Sequence, residues 1–319
     1  MKFSLIICGY NEEKALDQCI QSCLNLEYPK NEYEILYIDN NSKDSSIKVA
    51  QKYPINVFIE HKQGLSEARN CGINIAKGEI LVFLDADLKL DSKYLKFHET
   101  TFVDDCVGAG GGMVMPLIKT WVSDYLGVSL FEGYPRFLKQ KYISTYPGCN
   151  LSIRKSVIGQ VGPFKEGLIS ESGITRFAED KEMCERIRGR GYQIKYNPAA
   201  IVFHENAFTF RALFRIWVKG ARGRLNMIKI GKKDVLSLFF GYNLPLVFLA
   251  IILIAAIFNK PYFYILLFAV LVCLVSACIK AFIETGLFVE SIIIKPWLDL
   301  LSIFTIGLTI TAKRIGLWR

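Results

Sequence analysis

Within about the first 90 residues, four short apolar runs alternate with polar stretches of helical period, and this narrows the possible folds more than any other feature. The runs are FSLIIC at 3–8, YEILYID at 33–39, NVFIEH at 56–61 and ILVFL at 80–84. Helical patterns run to Leu24, begin again after Ser45, and extend from Gly64 to Lys77. Strand alternating with helix in this way predicts an α/β fold built on a mostly parallel, doubly wound sheet. The run at 80–84 has no polar alternation, which predicts a strand buried on both faces.

Three of these strands end in polar groups: Tyr10 to Glu12 after the first, Asp39 at the end of the second, and Asp85 with Asp87 after the fourth. Parallel strands bring such ends to one edge, where open α/β sheets bind ligands. Two carboxylates one residue apart suit a hard cation such as Mg²⁺ or Mn²⁺, which takes its remaining ligands from water and phosphate oxygens. A solvated Asp-x-Asp turn is the other reading of the pair. Asn11 is expected to cap the first helix, with Glu12 and Glu13 favoured in its first turn by the dipole.

Composition separates the chain into two parts. Hydrophobic residues make up 51% of it and mean hydropathy is +0.27, high for a purely soluble enzyme. The excess lies in Val235–Phe258 and Pro261–Ile283, each long enough for the ~20 residues that cross a hydrocarbon core. Residues 1–204 balance 25 basic against 25 acidic side chains, whereas 205–319 carry 14 against 5. Eight of those 14 lie between Arg211 and Lys233, with no acid among them, next to the first apolar stretch. That asymmetry predicts a cytoplasm-facing catalytic part and contact with anionic membrane lipids rather than nucleic acid.

Residues 208–230 interleave Arg and Lys with Phe, Leu, Trp and Ile as an amphipathic interfacial helix would. The expected organisation is a catalytic domain at 1–207, a basic interfacial helix at 208–234 and a membrane domain at 235–319. Spans are expected at about 236–258 and 261–283, with an interfacial or re-entrant helix at about 296–311 because Asp299 interrupts that short segment. Met1-Lys2-Phe3-Ser4 leads directly into the first strand with no signal segment, so residues 1 to about 230 are expected in the cytoplasm, and with the two apolar stretches the localisation expected is a multi-pass protein of the cell membrane. The nine cysteines show no paired metal-ligand spacing and read as reduced thiols.

Five blocks in order, CGYNEE, IDNNSKDSS, LSEARNCGINIAKGEILVFLDAD, PGCNLSIRKSVIGQVGPF and AEDKEMCERIRGRGYQIKY, resemble the family 2 glycosyltransferases of GT-A fold over residues 3–204. The chain departs from the usual pattern at Cys8-Gly9, where proline and a small residue are common, and at Asn40-Asn41-Ser42, which replaces a frequent Asp-Gly-Ser. The Gln-x-x-Arg-Trp signature of processive members is absent.

The resemblance implies that Tyr10, Glu12 and Asp39 hold the nucleoside of a UDP- or GDP-sugar, that Arg69 lies beside the base or diphosphate, and that Asp85 reaches ribose and metal. It further implies Asp87 and His204 as metal ligands and Asp180 as general base, helix capping being the other reading of Glu179-Asp180. One base and one cation at the leaving group imply direct displacement with inversion, without the second carboxylate of retaining hydrolases. The expected activity is transfer of a single sugar to a lipid-linked or glycan acceptor at the membrane. A catalytically silent nucleotide-sugar-binding scaffold subunit and a processive synthase are the alternatives.

Two further features carry weaker expectations. The glycines from Gly108 to Gly112 read as a strand edge passing close to the donor sugar. The aromatics between Trp121 and Tyr146 read as an acceptor groove or as helix packing.

Overall fold

A computed structural model describes residues 1–118, 141–166 and 179–204. By its contacts the chain divides into one unit of 1–117 with 138–206 and a second of 118–137 with 207–319; nearly all of the second lies outside the described residues. The expected interfacial helix, both expected spans, the segment 296–311 and most of the aromatic run at 121–146 therefore lie outside them too. Among the described residues no helix is long and apolar enough to cross a membrane.

The strands expected at the start of the chain are present: β1 Phe3–Gly9, β2 Tyr33–Asp39, β3 Asn56–Ile59 and β4 Ile80–Asp85. Between them lie helices α1 Leu16–Leu24, α2 Ser46–Ala50 and α3 Leu65–Ile75. β5 Leu88–Leu90 and α4 Tyr94–Glu99 follow, with a 3-10 turn at Thr100–Phe102. The remainder is β6 Val107–Pro116, β7 Tyr142–Ile143, β8 Asn150–Arg154, α5 Lys155–Val161, α6 Glu179–Gly189 and β9 Gln193–His204.

The sheet order is β3-β2-β1-β4-β8-β6-β9-β5, with β7 also on β9. Its first half, β3 to β4, is parallel throughout. The expectation of a mostly parallel sheet fails beyond β4: β8 runs antiparallel to both β4 and β6, and β9 is parallel to β6 but antiparallel to β5 and β7. Direction there is set by which distant strand fills each place, and local pattern carries no information on that.

Alternating residues bury both faces of the central strands, as the unbroken apolar runs require. One face (Ile6, Cys8, Leu36, Ile38, Leu81 and Phe83) joins Ala68 of α3 with Met183, Cys184 and Ile187 of α6 in a single core. The other face (Leu5, Ile7, Tyr37, Val82 and Leu84) is equally buried. Each large apolar side chain so placed contributes about 1.5–3 kcal/mol. Gly162 ends α5 at φ +83°, a left-handed turn that glycine adopts without strain, and Arg186 of α6 donates to the carbonyls of Val161, Gly162 and Pro163 just beyond it.

The glycine run does not lie at a strand edge. β6 sits between β8 and β9, and a Cβ at Gly110, Gly111 or Gly112 would fall within 2.5 Å of Thr101, Tyr146 or the Ala200 carbonyl respectively. Close packing inside the sheet accounts for these glycines.

Candidate active site

Parallel register brings the strand ends together. Gly9 pairs with Asp39 and Cys8 with Asp85, so the loops after β1, β2 and β4 leave the sheet side by side. The first two loops are laced to each other. Asn11 N donates to Ser42 Oγ (2.9 Å), Glu12 N to Ser46 Oγ (2.8 Å), Glu13 N to Asp44 Oδ2 (3.1 Å) and Lys43 N to Asn11 Oδ1 (2.8 Å). Asn11 therefore does not cap α1, which begins at Leu16; its side chain joins the two loops instead, with φ at 58°.

Asp39 is fully buried at the floor of this double loop. Its Oδ2 accepts from Ser42 N (2.8 Å) and its Oδ1 from the Tyr37 hydroxyl (3.1 Å). Burial, then the neighbouring Asp39 charge, raises the Tyr37 phenol well above its ordinary range, so it stays protonated as the donor. Tyr10 and Glu12 lie half-buried in the same loop. Asn40, 3% exposed, stood out in sequence only as a departure from the family pattern, with no role attached. Its Nδ2 donates to the carbonyls of Glu60 (3.3 Å) and Lys62 (2.9 Å) while its Oδ1 accepts from Gly64 N (2.7 Å), fixing the β3–α3 loop at the start of α3.

The metal-ready cluster forms where β4 ends and β9 returns. Leu88 of β5 pairs with His204 at the end of β9, which carries the imidazole to the aspartates after β4. Ligand atoms of Asp85, Asp87 and His204 all lie within 4.8 Å of one another, and His204 Nε2 is 3.6 Å from Asp87 Oδ1. All three side chains are partly buried. Carboxylate oxygens with one imidazole nitrogen form a donor set suited to Mn²⁺, and less suited to Mg²⁺.

Asp180 lies in the first turn of α6. Its Oδ2 accepts from Gly148 N (3.0 Å), and the carbonyl of the next residue, Cys149, accepts from Asp85 N (3.4 Å). Adjacent loop residues thus carry the backbone contacts of Asp180 and Asp85. Arg69, expected beside the base or diphosphate, is buried at 2% exposure. It pairs with Glu179 Oε1 (3.0 Å) and Asp85 Oδ1 (3.7 Å) and lies over the Phe164 ring at 5.3 Å. Burial opposes its charge, but Glu179 and Asp85 more than offset this and hold the guanidinium protonated. Sequence showed Glu179 only as one half of an acidic pair; nothing local marks it as the partner of Arg69, 110 residues away.

Known proteins resemble this chain in sequence and in fold. Residues 4–162 match the family model described as Glycosyl transferase family 2. The "Probable glycosyltransferase YdaM" of Bacillus subtilis (strain 168) is 26% identical over 289 residues, which cover 82% of this chain and 67% of that protein. The glycosyltransferase AglE of Haloferax volcanii is 26% identical over 245 residues, covering 74% and 77%. Among solved structures, the mannosyltransferase PcManGT of Pyrobaculum calidifontis, in complex with GDP-Man and Mn²⁺, aligns with a TM-score of 0.68 at 16% identity, over 98% of this chain and 88% of its own. At that identity the likeness concerns the fold, a mixed α/β sheet of GT-A type. The family match over residues 4–162, the glycosyltransferase relatives and the shared fold together support an amino-terminal domain of family 2 glycosyltransferase type.

Proposed function

We propose that the protein is a membrane-anchored, inverting glycosyltransferase that moves one sugar from a nucleoside-diphosphate sugar to a lipid-linked or glycan acceptor at the cytoplasmic membrane face. The observation that carries the catalytic reading is the juxtaposition at the end of β4. Asp85, Asp87 and His204 converge there, and Asp180 is tied through Gly148 to the loop that bonds to Asp85. The nucleoside belongs over the laced loops around Asp39, with Tyr10 and Glu12 at its side.

Asp85, Asp87 and His204 would hold a divalent cation, Mn²⁺ being favoured by the imidazole. When bound, that cation stabilises the charge gathering on the departing diphosphate. Asp180 takes the proton of the acceptor hydroxyl as its oxygen bonds to the anomeric carbon. The bond from that carbon to the diphosphate oxygen breaks in the same displacement, and the nucleoside diphosphate leaves with the electron pair. Attack from the face opposite the leaving group inverts the configuration. The names of related proteins support the substrate class: poly(ribitol-phosphate) N-acetylglucosaminyltransferase TarS of Staphylococcus aureus acts on a polymer, and the solved PcManGT complex holds GDP-Man. The membrane site is supported by the apolar stretches at 236–258 and 261–283 and the basic run before them.

The test is to incubate the full chain with Mn²⁺, a panel of UDP- and GDP-sugars and a membrane lipid extract, and to measure nucleoside diphosphate release. Asp180→Asn should lower the rate about 10²–10⁴-fold while leaving nucleoside diphosphate binding intact. Release that survives the substitution removes Asp180 as base, a product of retained anomeric configuration removes inversion, and absence of turnover with every donor favours a nucleotide-sugar-binding scaffold.

A further inference from the structure

Arg69 is the largest side chain in the described core that is both charged and almost wholly enclosed. A buried ion pair is weak evidence for stability, because desolvation consumes most of the attraction. What Arg69 joins is more telling. Nη1 meets Glu179, the first residue of α6, whose neighbour is Asp180. Nη2 lies 3.7 Å from Asp85 at the end of β4. The guanidinium therefore spans the two sides of the proposed reaction, donor-side carboxylate and base.

Its surroundings hold it in that place. A Cβ on Gly148 would lie 2.5 Å from Nη2 and 2.7 Å from Nη1, so only glycine leaves room for the guanidinium; the same residue's N–H holds Asp180. Asn70, next along α3, donates to the Phe164 carbonyl (2.9 Å) and accepts from Phe164 N (2.9 Å), fixing the ring against which the guanidinium lies. At 2% exposure the group has little surface left for a diphosphate.

We propose that Arg69 is a positioning residue: through Glu179 and Asp85 it fixes the first turn of α6, which carries Asp180, relative to the carboxylate at the end of β4. The proposal rests on the roles given above to Asp180 and Asp85. It acts by geometry, and misplacement of a reacting group by about 1 Å is enough to cost ~10²-fold in rate.

The experiment compares the wild-type full chain with Glu179→Gln, Arg69→Lys and the double variant Arg69→Met/Glu179→Gln, which strands no unpaired Arg69–Glu179 charge and so guards against simple unfolding. Two readouts are taken. The first is amide exchange at Gly148 and residues 179–182, which requires no activity. The second is the split between kcat and donor KM, using whichever nucleotide sugar the wild type turns over with Mn²⁺. Exchange at Gly148 should rise at least about tenfold in every variant, and kcat should fall at least about tenfold with donor KM within about threefold of wild type.

A raised donor KM with kcat preserved makes Arg69 a donor contact and overturns the proposal. So does a double variant with wild-type kcat, or exchange unchanged from wild type. If the wild type itself turns over no donor, the glycosyltransferase reading falls separately, and the exchange measurement alone decides whether the strut exists.

Discussion

Replacing Gly148 by alanine is expected to destabilise the chain, because the new methyl group would occupy the space of the Arg69 guanidinium. The added Cβ would lie 2.5, 2.7 and 2.9 Å from Nη2, Nη1 and Cζ, where ordinary contact begins at 3.4 Å. The guanidinium must retreat by roughly 0.5–0.9 Å, enough to draw Nη1 out of its 3.0 Å bond to Glu179. Removing one partner of a buried pair costs about 3–5 kcal/mol. Here both partners remain and re-pair in part, so about 2–3 kcal/mol is expected, in line with overpacking of a filled site. For a unit of this size that corresponds to a fall of roughly 5–10 °C in Tm. The assay is thermal and urea unfolding of the full chain, with Gly148→Ala made in the wild-type and in the Arg69→Met background. A clash with the guanidinium predicts a coupling of at least about 1.5 kcal/mol, the alanine being tolerated once the guanidinium is gone. An equal cost in both backgrounds, or no cost in either, refutes the reasoning.

Three further outcomes follow from particular contacts. Asp87→Asn should weaken Mn²⁺ binding, titrated with nucleoside diphosphate present, by at least about tenfold; unchanged affinity would place the ion elsewhere. Burial pushes the His98 imidazole from 6.5 down to about 3. The unfolded chain thus binds a proton that the folded chain excludes, so this group's stabilisation is whole above pH 6.5 and is lost as pH falls toward 3, at up to about 1.4 kcal/mol per unit. Tm should then drop more between about pH 7 and pH 5 in wild type than in His98→Gln, and parallel curves would contradict this. Asn41 has φ 62°; Asn41→Gly should be neutral within about 0.5 kcal/mol and Asn41→Val should cost about 1–2 kcal/mol, equal urea midpoints for the two being the adverse result.

The parallel half of the sheet was legible because its strands are unbroken apolar runs whose ends carry the polar groups; β2 and β4 fall within one residue of the runs that announced them. The antiparallel half was legible only in part. β6 contains four glycines, which blur its strand periodicity, and β8 is a five-residue alternation of polar and apolar residues with Asn150 and Ser152 buried; both are placed by partners far along the chain. The same division holds at the site. Asp85, Asp87 and His204 were all anticipated, yet their proximity depends on β5 pairing with β9, which no local pattern encodes. Nothing local in sequence shows that Arg69 is buried against Glu179, 110 residues away.

Placing the side chains accounts for Asn41 and Gly9, one residue in each of the two blocks that depart from the usual family pattern. Asn41 stands where glycine is common and adopts the left-handed backbone that asparagine, alone with glycine and aspartate, tolerates readily, so the loop keeps its shape. Gly9 has a different cause. A Cβ there would come within 3.0 Å of the Tyr37 hydroxyl and 3.2 Å of Ala86 Cβ, the residue between the two metal-ready aspartates. A small residue at position 9 thus belongs with a tyrosine at position 37, whose hydroxyl donates to Asp39. That hydroxyl occupies one of the two Asp39 oxygens and Ser42 N the other. On the function proposed above, a nucleobase donor reaching this carboxylate would use its remaining lone pairs, in a place shaped by Tyr37 and Gly9 as well as by Asp39.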